Sequence, residues 1–313
     1  MLFLVCSLLI NPFVIDIEDK TPLSLEDYRD IQDKLRQKSL KETLDSLYPK
    51  KSPFTWPWKH AFLKDRADFQ GRIERGIHQT LIDTSKEQLP KQELIRIHEG
   101  GDYCIVSYSS FDGIYPDLIE QIPKALEATA FQGYFLKIVG AFPNPTGKEA
   151  RYAGVPYAFK LFAMQEAAKL GFSKVLWIDA ALLPLRDLTP LFLWIEETGC
   201  LLQYQKNGKR YLLPKTRDLL LQETGIDMYN TKSLRARVIG LDFEQHKTQE
   251  LLADYIHLVD LGTPFCSCFP EEFVLGALLA KTPFVWPQHL FQELVAHEGK
   301  KHSQHAFFLL RQH

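Results

Sequence analysis

The chain has 313 residues, 45% of them hydrophobic and 24% charged, with a formal net charge of −2. That is ordinary for a globular protein with ample core, either one large α/β domain or a catalytic domain with an appendage. A near-neutral balance with no basic run and no aromatic-studded basic patch argues against a nucleic-acid binder.

Residues 1–15 are almost wholly apolar, the length of a signal-peptide core but short of the roughly 20 residues that span a bilayer as a helix. No lysine or arginine precedes the run, Asn11-Pro12 interrupts it, and no small-x-small cleavage site follows. The expectation is an uncleaved segment of a cytoplasmic protein, with secretion or membrane association through residues 1–15 as the alternative. From Ser24 to Leu47 apolar residues recur at three- and four-residue steps among charges, which predicts an amphipathic surface helix. Pro53, Pro57 and two tryptophans between Pro49 and Trp58 end it and suggest an aromatic plug. Residues 59–98 return to helical spacing through Phe62, Phe69, Ile73, Ile77, Leu81 and Ile82. Residues 1–100 are therefore expected to be an apolar segment with a helical extension, and 101–313 the main domain, divided at Gly100-Gly101.

Strands then alternate with helices. Strands are expected near 103–109, 134–139, 174–178, 200–205 and 236–241. Helices are expected over 155–170, 189–199, 215–224 and 247–261, and from Pro270 onward. The polar turn Ser109-Ser-Phe-Asp-Gly113 closes the first of these strands, and Asp112 there suits a ligand contact as well as a plain Asp-Gly turn. The loop from Ala141 to Lys148 holds two prolines and a glycine, a shaped loop at a strand end where function is commonly carried. Asn207-Gly208 is a turn signal. Five cysteines without repeated metal-ligand spacing read as small buried hydrophobes in a reducing compartment. The histidine-rich end, closing on Phe307-Phe-Leu-Leu310, is expected to pack as a terminal helix.

The most informative stretch is Lys174-Val-Leu-Trp-Ile-Asp-Ala-Ala-Leu-Leu-Pro-Leu-Arg-Asp-Leu-Thr-Pro-Leu-Phe192. A short, continuously apolar run reads as a strand buried on both faces, and in an open α/β sheet ligands gather at the carboxyl ends of the strands. Asp179 stands at that end. The stretch resembles the centre of GT-A-type glycosyltransferases, over roughly residues 102–288. The resemblance implies a mostly parallel, twisted, Rossmann-like sheet flanked by helices, behind the N-terminal helical extension. It further implies transfer of a sugar from a nucleotide-diphosphate donor to a hydroxyl acceptor, with Mn²⁺ or Mg²⁺ as metal. In that family an Asp-x-Asp pair holds the metal on the diphosphate. Asp179 matches the first acid, and Ala181 replaces the second. A GT-A-like protein that only binds nucleotide, glycan or a protein partner is the alternative.

By the same resemblance Asp112 contacts the nucleoside, Arg151 and Lys160 are the basic residues that reach the phosphates, and Asp179 is the metal ligand. For Lys160 a solvated helix charge is the favoured reading. An acid at the start of a late helix faces the acceptor, which implies Glu271 or Glu272 as general base of an inverting reaction, with Glu272 in the site and Glu271 more exposed. Either could instead only complement the positive helix end. There is no Gly-x-Ser-x-Gly elbow, and no Gly-x-Gly-x-x-Gly after the first strand, against an α/β hydrolase or a dinucleotide-binding oxidoreductase.

Overall fold

The computed structural model describes residues 11, 13–17, 22–38, 40–47, 66–141, 150–204, 211–282, 284, 294–299 and 306–311. Most of the apolar start, the Pro49–Trp58 turn, nearly all of the 141–148 loop, Asn207-Gly208 and most of the histidine-rich end lie outside them. No described helix is long and apolar enough to cross a membrane.

The chain opens with α1 (Leu25–Gln37), α2 (Leu40–Leu47) and α3 (Arg66–Ile77). Next come β1 (Lys91–Ile97), β2 (Tyr103–Ser109), α4 (Tyr115–Ile119), α5 (Gln121–Glu127) and β3 (Gly133–Val139). The middle comprises α6 (Phe159–Lys169), β4 (Lys174–Ile178), β5 (Leu182–Pro184), α7 (Thr189–Thr198) and β6 (Cys200–Tyr204). It closes with α8 (Pro214–Thr224), β7 (Leu234–Asp242), α9 (His246–Leu261), α10 (Pro270–Lys281), β8 (Val295–His297) and β9 (Phe308–Leu310).

Six strands form the central sheet in the order β1-β3-β2-β4-β7-β6. β2 runs parallel to β3 and β4, whereas β1 on β3, β7 on β4 and β6 on β7 are antiparallel. The sheet is therefore mixed, with parallel pairing confined to its middle three strands. Each of those is a run such as Val175-Leu-Trp-Ile178, buried on both faces, because helices cover the sheet on both sides. One core lies under α1, α3, α6, α8, α9 and α10 and holds Trp177; the other lies under α4, α5 and α7 and holds Ile178. The described cysteines, Cys104, Cys200, Cys266 and Cys268, are free and buried.

Three sequence expectations change. Residues 59–98 are not helical throughout, since β1 pairs with β3 and brings the sheet forward of Gly100-Gly101. β1 is an edge strand, and its charged residues Lys91, Glu93 and Arg96 are all exposed. The single helix expected over Ser24–Leu47 divides into α1 and α2. A capping box starts α1: Asp27 N–H donates to Ser24 Oγ (3.2 Å) and Ser24 N–H to Asp27 Oδ2 (2.8 Å). The chain end is a strand rather than a helix, because β9 pairs with β5 and β8 in a small second sheet. Arg311 then donates to the carbonyls of Ala180 (2.6 Å) and Ala181 (3.2 Å from its backbone N–H), pinning the loop that follows Asp179.

The extension is hydrogen-bonded to the residues that follow Gly101. Buried Gln32 of α1 accepts from Leu81 N–H (2.9 Å), Phe111 N–H donates to Thr80 O (2.9 Å), and Ala141 N–H donates to Leu81 O (2.5 Å). Gly140 holds φ at 78°, and a Cβ there would strike the Phe111 ring and come within 2.9 Å of Leu81 O. Gly140→Ala should therefore destabilise by more than about 1 kcal/mol, read as a lowered midpoint in chemical unfolding.

Candidate functional site

Asp179 follows β4, and its N–H extends the antiparallel ladder by donating to Arg237 O of β7 (2.9 Å). The backbone is thereby fixed, and the carboxylate is fixed in turn. Its Oδ1 accepts from Trp177 Nε1 (3.0 Å) and from Lys160 Nζ (2.9 Å). Lys160, in the first turn of α6, is only 4% exposed, against the favoured reading of a solvated helix charge. Its ammonium also donates to Ala236 O (2.8 Å) and pairs with Glu271 Oε1 (2.9 Å), so each of its three protons has a partner. Burial alone would lower its pKa, but the Asp179 and Glu271 carboxylates outweigh burial and hold it above the ordinary lysine value.

Glu271 and Glu272 open α10, a helix apolar on every side and packed against α8, α9 and β7. Both side chains are buried, Glu271 at 6% and Glu272 at 9% exposure, so Glu271 is not the more exposed of the two. Glu271 reaches the site through Lys160. Glu272 points along β7, where its Oε1 accepts from Ala236 N–H (3.3 Å) and its Oε2 has no hydrogen-bond partner among the described residues. Burial, then the Glu271 carboxylate, pushes the Glu272 pKa from 4.5 to about 8, offset only in part by Lys160, the Ala236 amide and Arg237.

A cavity of about 700 Å³ opens at the carboxyl ends of β2 and β4, with Asp112, Lys160, Asp179 and Ala181 in its lining. Asp112 Oδ2 accepts from Thr80 N–H (2.9 Å), and the Asp112 carbonyl accepts from Tyr115 N–H (3.2 Å), so the residue serves both the turn and the cavity wall. Arg151 is elsewhere. It is exposed on a single 3-10 turn and donates to Tyr152 Oη (2.8 Å), whose hydroxyl bonds Asp260. Neither Glu271 nor Glu272 lines the cavity. Among the described residues its carboxylates are Glu74, Asp112 and Asp179.

Several lining residues escaped the sequence reading. The end of α3 and the residues after it supply a wall that includes Arg75, His78 and Gln79. Gly76 allows that approach, because a Cβ there would meet the Tyr157 ring at 2.8 Å. Tyr157 also lines the cavity, with φ at 59°, a left-handed conformation that a bulky residue holds only where its surroundings enforce it. Arg237 of β7 lines the cavity as well. Arg235 and Arg237, alternating at the start of an otherwise apolar strand, were its only sequence signal.

A divalent ion fits these residues poorly. Oδ1 of Asp179 already holds an ammonium, and Ala181 adds no oxygen. Among the described residues no group of three His, Cys, Asp or Glu side chains could hold a metal. An ion on Asp179 would also face the Lys160 charge; two unit charges 4 Å apart repel by about 4 kcal/mol at an effective dielectric of 20, and a dication doubles that.

No protein-family model matches the sequence, and no curated protein matches it. Among solved structures the chain is similar to the galactosyltransferase LgtC in complex with donor and acceptor sugar analogues, at 15% identity and a TM-score of 0.32, over 54% of this chain and 71% of that one.

Proposed function

We propose that the chain is a glycosyltransferase that moves a sugar from a nucleotide-diphosphate donor to a hydroxyl acceptor. One observation carries the reading: Asp179, in the stretch that resembles the GT-A centre, stands in the lining of a cavity at the carboxyl ends of adjacent parallel strands. That is where an open α/β sheet binds its ligands. The polar turn at Ser109, Ser110 and Asp112 lies at the same end and suits contacts to the nucleoside.

Within this reading Lys160 is a positioning residue. It locks the Asp179 carboxylate through Oδ1 and ties it to Glu271 in the wall behind. Departure of the nucleoside diphosphate builds negative charge, which preorganised donors in the cavity stabilise without reorganising at the moment of reaction. An inverting transfer also requires a base within hydrogen-bond reach of the acceptor hydroxyl. Glu74, Asp112 and Asp179 line the cavity and meet that condition better than the buried Glu271 and Glu272.

The test is thermal unfolding with a panel of nucleotide sugars. A ligand present at a hundred times its dissociation constant should stabilise by about 2.7 kcal/mol. Asp179→Asn, which keeps the shape and removes the charge, should fold and alter that stabilisation, because the carboxylate stands in the lining against the bound ligand. Wild-type nucleotide affinity in this variant would remove Asp179 from the site. A second reading, a GT-A-like protein that only binds, is favoured by Ala181 and by the burial of both helix-end acids outside the cavity. Labelled-donor assays separate the two, since a pure binder is stabilised by nucleotide sugar yet neither transfers nor hydrolyses it.

A further inference from the structure

Resting on that reading, we infer that the donor's diphosphate is held by protein cations, with Arg237 as the principal contact, and not by a divalent metal on Asp179. The charge distribution points this way. The strand-end acid that would attract a metal already holds a cation at Oδ1, the Lys160 ammonium that it shares with Glu271. The position two residues on is Ala181, whose methyl group offers a cation nothing. Arg237 sits directly beside Asp179, its carbonyl accepting the Asp179 N–H (2.9 Å), and its side chain lines the same cavity. It is partly exposed, and its guanidinium has no hydrogen bond or ion pair with any described residue. A planar fork of five donors in a cavity wall, left unused by the protein, matches a phosphate that accepts two parallel hydrogen bonds.

A second cation lines the cavity from another element. Arg75, near the end of α3, lines the cavity and likewise has no ion pair among the described residues. Positive charge thus comes from two separate walls. The lining acids Glu74 and Asp112 each accept a hydrogen bond from the protein, from Gln70 Nε2 to Glu74 Oε1 (2.7 Å) and from Thr80 N–H to Asp112 Oδ2 (2.9 Å).

The experiment is calorimetric titration of the full chain with UDP, GDP, ADP and CDP, each beside its parent nucleoside, in EDTA and in Mn²⁺ or Mg²⁺. The inference expects one nucleoside diphosphate to bind in EDTA with a dissociation constant within about threefold of that in metal. It expects Arg237→Gln to weaken that binding on the order of 10- to 100-fold, the worth of charge-assisted hydrogen bonds, with the nucleoside unaffected. Arg237→Lys, which keeps the charge and loses the fork, should fall between, and it decides the matter where the Gln variant does not fold. Wild-type affinity in either variant overturns the assignment to Arg237. Binding that appears only with metal overturns the inference and leaves the transferase reading standing. If no diphosphate binds in either condition, the transferase reading fails and this inference fails with it.

Discussion

Lys160→Met should lower stability by about 3–5 kcal/mol, the usual cost of removing one partner from a buried ion pair. The size follows from what is left behind. Methionine fills the space of the lysine stem but supplies no proton, so Glu271 loses its cation and Asp179 keeps only the Trp177 indole at Oδ1. Glu271 is nearly as inaccessible as the lysine and adjoins Glu272, so a second buried acid stands beside the stranded one. Urea unfolding at neutral pH would show the loss. The double variant Lys160→Met/Glu271→Gln should recover part of the loss, because the two residues are in contact and their effects are not additive. A Lys160→Met chain within about 1 kcal/mol of wild type would mean that the ion-pair cluster does not hold these elements together.

The same cluster shows what a sequence can and cannot tell. Val175 to Ile178 was legible as a central strand because a strand covered on both faces has no polar alternation to blur the signal, and Asp179 followed from its position at that strand's end. Lys160 was not legible in the same way. A lysine early in a helix is normally solvated; this one is buried because one acid arrives from the end of β4 and another from the start of α10. Helical geometry alone suggested that only one of Glu271 and Glu272 would turn inward. Both are inward because α10 is covered on every side, a property of the packing around it rather than of its own charges. β1 was hidden because an edge strand with a solvated face carries the same mixture of charges as a surface helix. The nearness of Arg237 to Asp179 depends on β7 lying antiparallel beside β4, a pairing that no local pattern encodes.

Glu272→Gln should make the protein more stable than wild type at alkaline pH, and the gain should disappear in acid. The folded chain holds the Glu272 proton until about pH 8, whereas the unfolded chain releases it near 4.5. Between those values the folded state binds more protons, so this group's contribution is fully present below about 4.5, declines as pH rises and is lost on passing about 8. At about 1.36 kcal/mol per pH unit the decline amounts to on the order of 5 kcal/mol. Glutamine has no proton to lose. It keeps the side-chain length and the carbonyl oxygen that accepts from Ala236 N–H, so its stability should not follow that decline. Urea unfolding of both proteins from pH 5 to pH 9 should give curves that meet at the acid end and separate steadily towards the alkaline end. A constant offset across that range would mean that Glu272 is ionised in the folded protein at neutral pH. The variant also separates a buried acid from a catalytic one. With its side chain outside the cavity lining, Glu272→Gln should leave transfer within a few-fold of wild type, whereas a 10²- to 10⁴-fold loss of turnover at undiminished stability would restore the general-base role that its place at the start of α10 first suggested.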